Sequence, residues 1–546
     1  MNIAYFSSGD GPFYYSEQMK ALSWLPPIWE AFKGFGENLL PRLWIDYPFR
    51  LLVKLLSSVG LSWFVIEKLL WISVFVLAIY SSKKLADYVL GKNMFTWAAP
   101  VVYVANTYIL LLFGGGQLGV ALAYGFAPLV LLKFIQAVDG LRATGYGLKQ
   151  GIRNGLFFAL LVTFDLRFAY LSLLMSCLYA AFRRRLPLFS WVISFLTAGF
   201  IHAFWILPIL LAGGGTGGLG EEFTSTGMLQ FLSVADFSHA LSLLHPNWPE
   251  NLFGKVYFMQ PEFLVIPLLA FASLLIKEGQ EAINNKQQKR LLFTVYCPFF
   301  ALLALVGAFL AKGVNEPFGG IYAWMFTHVP GFVMFRDPTK FYFFVALGYS
   351  ILIPFALEHI KKKVMFIVFI VFWLFTLRAV FTAQVTGNLR PTQLPQEYVQ
   401  LKDLLVADST PSRTLWIPQK ENYAFASATH PFLATESAFV EDPLFIQKIS
   451  QMGVRYVIVP PDVYKRLFLT DYRFDPKQRT DLIEALGKTS LQRNSAFGDI
   501  AVFENDRFVF EQSTPPGIVR QQELANIGLV FSIVFLIVCI AVLIIV

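Results

Sequence analysis

The feature that most constrains this chain is the recurrence of apolar stretches close to 20 residues long, about what a helix needs to cross a bilayer. Such runs fall at 63–81, 95–113, 117–137, 190–212, 262–276, 291–311, 340–357, 364–382 and 528–546. A further run is split into 153–164 and 168–182 by Asp165-Leu166-Arg167. The pattern predicts a polytopic α-helical membrane protein with about 10–11 transmembrane segments. Composition agrees: 56% of residues are hydrophobic, 15% are charged and the mean hydropathy is +0.56. Soluble domains carry about 25% charged residues, so a single soluble enzyme and a disordered chain are both excluded.

The net charge of +8 does not point to nucleic acid, because Lys and Arg gather in short loops between apolar runs and form no basic stripe with interleaved aromatics. Loops near 81–94, 138–154, 183–185, 277–290 and 358–363 hold 16 Lys/Arg, whereas the alternating loops 114–116, 165–167, 213–261 and 312–340 hold 5. The positive-inside rule puts the first set in the cytoplasm. Residues 1–60, the long loops and 383–527 then face outward. Cys177, Cys297 and Cys539 all lie within apolar runs, which leaves no disulfide framework and no metal-binding spacing.

Between 386 and 520 the composition changes, with 15 Lys/Arg and 16 Asp/Glu in that stretch. A balanced, charge-rich segment of this size reads as a soluble domain. Residues 413–418, 454–460 and 496–504 are expected as strands, and 442–452 and 480–488 as helices, which gives a small extracytoplasmic α/β or α+β domain. The expected organisation is therefore a transmembrane domain 1–384 with outer loops 1–60, 213–261 and 312–340, a soluble domain 385–522, and a terminal membrane helix within 523–546. Residues 15–50, with Trp24, Trp29, Trp44 and Pro26-Pro27, suit helices lying in the outer interface. No signal peptide begins at Met1.

Several residues could carry chemistry. Asp10, in Ser8-Gly9-Asp10-Gly11-Pro12, reads either as a turn residue or as an outward-facing base. Asp165 and Arg167 interrupt an apolar run, and either close a helical hairpin as an ion pair or bind a ligand. Arg336 and Lys340, in Phe335-Arg336-Asp337-Pro338-Thr339-Lys340-Phe341, either anchor a helix end or hold a lipid phosphate. The loop 213–261 contains a glycine run, Glu221, Glu222, Asp236, His239, His245 and Trp248. A divalent cation held by Glu221, Glu222, Asp10 or His245 is a candidate cofactor, although no spacing is diagnostic of a metal. Trp24, Trp29, Trp44, Trp248 and Trp324 belong to an interfacial belt, where one or two could stack on sugar rings. Charges within the apolar runs lie toward the ends, with Glu67, Asp165 and Arg167 outside and Lys133 inside. Ion-coupled transporters place theirs at the midplane.

Together these pieces resemble the GT-C superfamily of integral membrane glycosyltransferases, which use polyprenyl-phosphate-linked sugars. The nearest likeness is to the arabinofuranosyltransferase D-like and YfhO-like branches. The residues that carry it are Gly9-Asp10-Gly11, the interfacial stretch closing at Tyr47-Pro48-Phe49, Phe164-Asp165-Leu166-Arg167, the 335–341 motif, and Gly453-Val-Arg-Tyr-Val-Ile-Val459. The resemblance implies that Asp10 is the general base of an inverting single displacement and that Arg336 and Lys340 contact the donor phosphate. Asp165, Arg167, His245 and Trp248 would complete the substrate cavity. The implied partners are a polyprenyl-phosphate sugar donor, a glycan, lipid or protein acceptor, and the bilayer of a plasma (inner) membrane, with the site on its extracytoplasmic face. A membrane helix precedes the first outer loop in that superfamily, and only nine residues precede Asp10 here, so the expectation is either a start internal to the gene, the favoured reading, or a chain that lacks that first helix. A lipid-linked glycan flippase or transporter, and a GT-C-like scaffold without activity, are the competing readings.

Overall fold

The computed structural model describes residues 4–6, 9–140, 147–212, 225–245, 250–251, 254–255, 260–276, 292–360, 363–378, 392–418, 422–461 and 476–545. The chain divides into two compact units, one made of 1–68, 203–215 and 390–531 and the other of 69–202, 216–389 and 532–546.

Over their described residues all eleven apolar segments are helical, but not all of them meet the length and composition of an unbroken span. Five helices are long and apolar enough to cross a membrane: Trp63–Leu90, Leu118–Asp139, Thr294–Ala311, Pro338–Ile360 and Pro516–Ile544. Two broken pairs, Phe95–Val104 with Thr107–Gly114 and Leu188–Ile201 with Ala203–Ala212, raise the number to seven if each is one span. Among the described residues five to seven segments thus meet the length and composition of a span, beside the about 10–11 apolar segments expected from the sequence. The described parts of Pro261–Leu275 and Lys363–Thr376 are too short, since a residue adds only about 1.5 Å against a hydrocarbon core of about 30 Å. Charged and amide residues such as Lys149, Gln150, Arg153, Asn154 and Arg167 dilute the two helices flanking Asp165. The chain is a multi-pass membrane protein.

Within the second unit, the helices Leu118–Asp139 and Pro338–Ile360 form the centre, with 83% and 94% of their most apolar windows buried. Side chains that face other helices rather than lipid explain why both are apolar all round. Small residues set the close contacts. Helix Leu148–Phe164 lies against Leu188–Ile201 through Gly155, where a Cβ would come within 2.5 Å of Thr197 Cβ and 2.7 Å of the Ser194 carbonyl. Gly348 lets Tyr342–Ile360 approach Cys297–Ala311, where a Cβ would lie 2.6 Å from the Phe300 carbonyl. At one end of this bundle Asp139 accepts hydrogen bonds from Tyr179 at 2.9 Å, Tyr296 at 2.8 Å and Tyr88 at 3.3 Å, and pairs with Arg183 at 2.8 Å. One carboxylate thereby ties four helices together.

The first unit contains a five-stranded mixed sheet made of β1 (Arg413–Trp416), β2 (Phe432–Ala434), β3 (Val454–Val459), β4 (Gln492–Asn494) and β5 (Ala501–Glu504), in the order β4-β5-β3-β1-β2. β1 pairs parallel with β2 and β3, while β5 runs antiparallel to β3 and β4. Alternation along β3 feeds two cores. Tyr456 and Ile458 join Trp416, Val502 and the helix Gln396–Ala407 on one face. Val457 and Val459 join Leu415, Phe503 and the helices Phe445–Gln451 and Pro476–Gly487 on the other. The expected strands and helices are present, joined by β2, β4 and the helix Gln396–Ala407.

The amino-terminal segment packs on this domain. Tyr15 donates its hydroxyl to the Tyr423 carbonyl at 2.9 Å, Gln18 reaches the Ala426 carbonyl at 3.1 Å, and Lys402 pairs with Glu17 at 3.2 Å. The helix Leu43–Ser58 buries Leu43 and Tyr47 against Phe204 and Ile518. This agrees with its amphipathic sequence. Arg413 at the start of β1 is buried, donating to the carbonyls of Gly34 at 3.1 Å, Met452 at 2.7 Å and Glu511 at 2.7 Å between the rings of Phe35 and Phe510.

Candidate functional site

Chemistry-bearing residues gather in two places, one in each unit. In the first unit, Gly9 has a φ of +59°, so the Gly9-Asp10 turn uses the left-handed region that glycine enters without a Cβ clash. Asp10 is exposed. The chain is pinned on both sides of it. The Phe6 amide donates to both Glu67 oxygens at 3.1 Å, and Lys68 donates to the Ala4 carbonyl at 2.9 Å while lying over the Phe6 ring at 3.9 Å. On the other side Asn422 donates to the Gly9 carbonyl at 3.1 Å, and Phe13 meets Tyr423 edge-on at 5.0 Å.

In the second unit, three segment starts meet at one end of the bundle, each capped by a side chain. Asn106 breaks an apolar run, and its oxygen accepts from the amides of Tyr108 at 3.0 Å and Ile109 at 3.2 Å to start the helix Thr107–Gly114. Asp165 starts the helix Leu166–Arg183 by accepting from the Arg167 amide at 2.8 Å and the Phe168 amide at 3.3 Å. Asp337 caps the turn Pro338–Phe341 at 3.0 Å from the Thr339 amide, with Pro338 in the favoured first position. Rings join the three. Tyr124 packs against Tyr108 at 5.5 Å, Phe168 at 6.4 Å and Phe343 at 6.0 Å, and Phe168 lies 4.9 Å from Phe343.

The charged groups of these starts form one cluster. Arg167 binds Asp165 through Nη2 at 2.6 Å and Nε at 3.1 Å, while Asp337 pairs with Lys340. Arg167 lies within electrostatic reach of Asp337, and Lys340 of both Arg167 and Asp165. Arg336 is half-buried. Burial and the neighbouring Arg167 guanidinium push its pKa below the ordinary arginine value, and Asp337 partly offsets them. Burial alone would raise Asp337, but the Lys340 ammonium and the Thr339 hydrogen bonds outweigh it and hold the carboxyl below the usual range. Three cations and two carboxylates leave the cluster at +1. Arg167, Arg336, Lys340 and Asp165, predicted separately from two distant motifs, are thus brought together.

The neighbouring segment 233–245 is held to the same unit. Asn315 donates to the carbonyls of Ser233 and Ala235, both at 2.7 Å, and the Leu243 carbonyl accepts from Thr107 at 3.2 Å. His245 is buried, its ring centroid 3.7 Å from that of His239. Burial lowers the His239 pKa, and Asp236 partly offsets that effect. Trp248, Glu221 and Glu222 lie outside the described residues. Among the described residues no group of three or more His, Cys, Asp or Glu could hold a metal ion. Two participants escaped the sequence reading. Asp337 sat inside the quoted motif as the acid between two cations, and Asn106-Thr107 was a polar capping pair within an apolar run.

Neither a family model nor a curated protein matches the sequence. Among solved structures the fold is similar to that of arabinofuranosyltransferase AftD from Mycobacteria, at 14% identity and a TM-score of 0.60 over 92% of this chain and 38% of that one. A substituted form of the same enzyme matches in one conformational class at 13% identity and a TM-score of 0.56, covering 91% of this chain and 40% of that one. A second class gives 13% identity and 0.52, over 94% and 40%. The likeness is one of fold alone, and the chain spans about two-fifths of the length of these structures.

Proposed function

We propose that the chain is a GT-C glycosyltransferase that moves a sugar from a polyprenyl-phosphate donor to an envelope glycan, lipid or protein acceptor. Transfer takes place on the extracytoplasmic face of the plasma membrane. The observation that carries this reading is the gathering of Arg167, Arg336 and Lys340 at adjoining capped segment starts, on a fold shared with an arabinofuranosyltransferase. Amino-terminal helix dipoles and clustered cations both favour a phosphate. An ammonium offers three donors and a guanidinium five, so the ion pairs with Asp337 and Asp165 leave capacity for ligand oxygens.

In the proposed reaction Asp10 takes the proton from an acceptor hydroxyl. The acceptor oxygen attacks the anomeric carbon from the face opposite the phosphate, and the carbon–oxygen bond to phosphate breaks with its electron pair. Polyprenyl phosphate leaves as a stable anion and needs no acid to protonate it, unlike the leaving group of a glycoside hydrolase. Arg336 and Lys340 stabilise the charge that develops on the leaving oxygen. Asp165 with Arg167 shapes the cavity, and His245 lies on the approach of the sugar.

The test is complementation of a deletion strain with wild type, Asp10→Asn and Arg336→Gln at matched membrane levels, read by mass spectrometry of envelope glycans. A sugar lost on deletion and restored only by wild type is the expected result. Equal restoration by Asp10→Asn would leave Asp10 as a turn residue and remove the base from the mechanism.

A further inference from the structure

Tyr108 follows the Asn106 cap in the first turn of Thr107–Gly114 and is fully buried. Its ring packs on Tyr124, which also packs on the rings beside the Asp165–Arg167 and Asp337–Lys340 pairs. Nearby buried tyrosines are satisfied. Tyr103 and Tyr124 each donate to the other's carbonyl at 2.7 Å, Tyr322 donates to the Phe335 carbonyl at 2.6 Å, and Tyr349 to the Leu241 carbonyl at 2.8 Å. The Tyr108 hydroxyl has no hydrogen-bond partner among the described residues, although Asp337, Arg167 and Asp165 all lie within its electrostatic reach. Tyr342, the other such tyrosine among them, lies by Asp236 instead.

Burying a hydroxyl without a partner costs folding free energy, and a phenylalanine in the same space would avoid that cost. Asp165 and Asp337 accept from Arg167, Phe168, Thr339 and Lys340, and neither carboxylate hydrogen-bonds the Tyr108 hydroxyl. A neutral donor beside a cluster of net +1 matches an anionic oxygen and adds no further charge. We propose that Tyr108 is a ligand-contacting residue, its hydroxyl donating to a non-bridging oxygen of the polyprenyl phosphate group held by Arg336 and Lys340. The inference rests on the phosphate reading of that cluster and names a donor which that reading does not contain.

The experiment uses the full chain in nanodiscs with a long-chain polyprenyl monophosphate as probe and the matching polyprenol, which lacks the phosphate, as control. Wild type, Tyr108→Phe and Arg336→Gln are compared for probe affinity and for the thermal midpoint without probe. Tyr108→Phe removes one oxygen and leaves the ring packing intact. Its phosphate affinity falls roughly tenfold, its polyprenol binding is unchanged, and its ligand-free midpoint stays level or rises. A purely structural hydroxyl would lower the midpoint when removed, and that result overturns the proposal, as does wild-type affinity for the phosphate. If Arg336→Gln loses affinity while Tyr108→Phe does not, the Tyr108 contact alone is wrong. Wild-type affinity in Arg336→Gln defeats the phosphate reading of the cluster and the Tyr108 contact with it.

Discussion

Arg167 closes back on Asp165, two residues earlier, with Nη2 2.6 Å from Oδ2 and Nε 3.1 Å from both carboxylate oxygens, while the same carboxylate caps the helix that carries Arg167. One side chain therefore breaks the apolar run, starts the next helix and sets the guanidinium in the cluster. Because the pair is local, each partner holds the other in place without help from a distant element.

Replacing Asp165 separates these roles. Asp165→Asn keeps an oxygen to cap the helix but gives up the charge, whereas Asp165→Ala gives up both. Alanine should cost on the order of 2–4 kcal/mol, summing a lost cap and a charged hydrogen bond that is discounted for the partial exposure of Arg167. Asparagine should cost about half of that. Thermal unfolding of the purified protein gives the order, and equal losses for the two variants would mean that the cap contributes nothing.

The Asp337–Lys340 pair makes a pH-dependent prediction. Asp337 is held below the usual carboxylate range, so its contribution is present above an ordinary aspartate pKa of about 4 and is lost as the pH falls through its depressed value. In Lys340→Met the ammonium is gone and burial dominates, so the Asp337 pKa should rise instead. The variant should be roughly 3 kcal/mol less stable than wild type at neutral pH. The gap should narrow as the pH falls through the raised pKa of the variant's carboxyl, where the buried group becomes neutral. Unfolding followed from pH 7 to pH 4 in both proteins lets the other carboxylates cancel. A gap that widens on acidification would contradict the assignment.

In the mixed-sheet domain, Arg413 supplies donors to the carbonyls of Gly34, Met452 and Glu511. Arg413→Lys keeps the charge but replaces a planar fork with a single ammonium, which cannot span three carbonyls on separate segments. Arg413→Lys and Arg413→Met should both destabilise the domain, by about 2–4 kcal/mol. Hydrogen exchange should rise together in peptides covering 29–38, 450–454 and 509–512. A rise confined to one of them would show that the three contacts are independent.

These elements differ in how far the sequence disclosed them. The break at Asp165 was legible because a charge inside an apolar run has few explanations. The motif around Arg336 was legible because two cations beside a helix start are unusual in so apolar a chain. What local pattern could not convey was that two motifs about 170 residues apart would share one cluster, since nothing in their spacing encodes packing around Tyr124. Which apolar runs form unbroken spans was not legible for a related reason. Apolar runs that lie against other helices and runs that face lipid have the same composition, and Asn106 interrupts a run without changing its hydropathy. Tyr108 was invisible, because a tyrosine in an apolar run reads as core until its hydroxyl is traced.

Glu67 and Lys68 lead to the last prediction. The Glu67 carboxylate accepts the Phe6 amide with both oxygens, and Lys68 covers the Phe6 and Phe64 rings at 3.9 and 4.6 Å, so together they fix residues 4–6 just ahead of the Gly9-Asp10 turn. Glu67→Leu removes the acceptor and leaves Lys68 without its neighbouring charge. The Phe6 amide should then exchange about tenfold faster or more, which corresponds to the loss of one charge-assisted hydrogen bond. Glu67→Gln retains one accepting oxygen and should fall between this variant and wild type. If Asp10 is the base, a loosened anchor lowers the fraction of molecules with the carboxylate in position. Turnover should then fall in step with protection while donor affinity, which the proposal assigns to Arg336 and Lys340, is unchanged. Steady-state kinetics beside hydrogen exchange tests both halves: faster exchange with undiminished turnover would detach Asp10 from the chemistry, and unchanged exchange would remove Glu67 as its anchor.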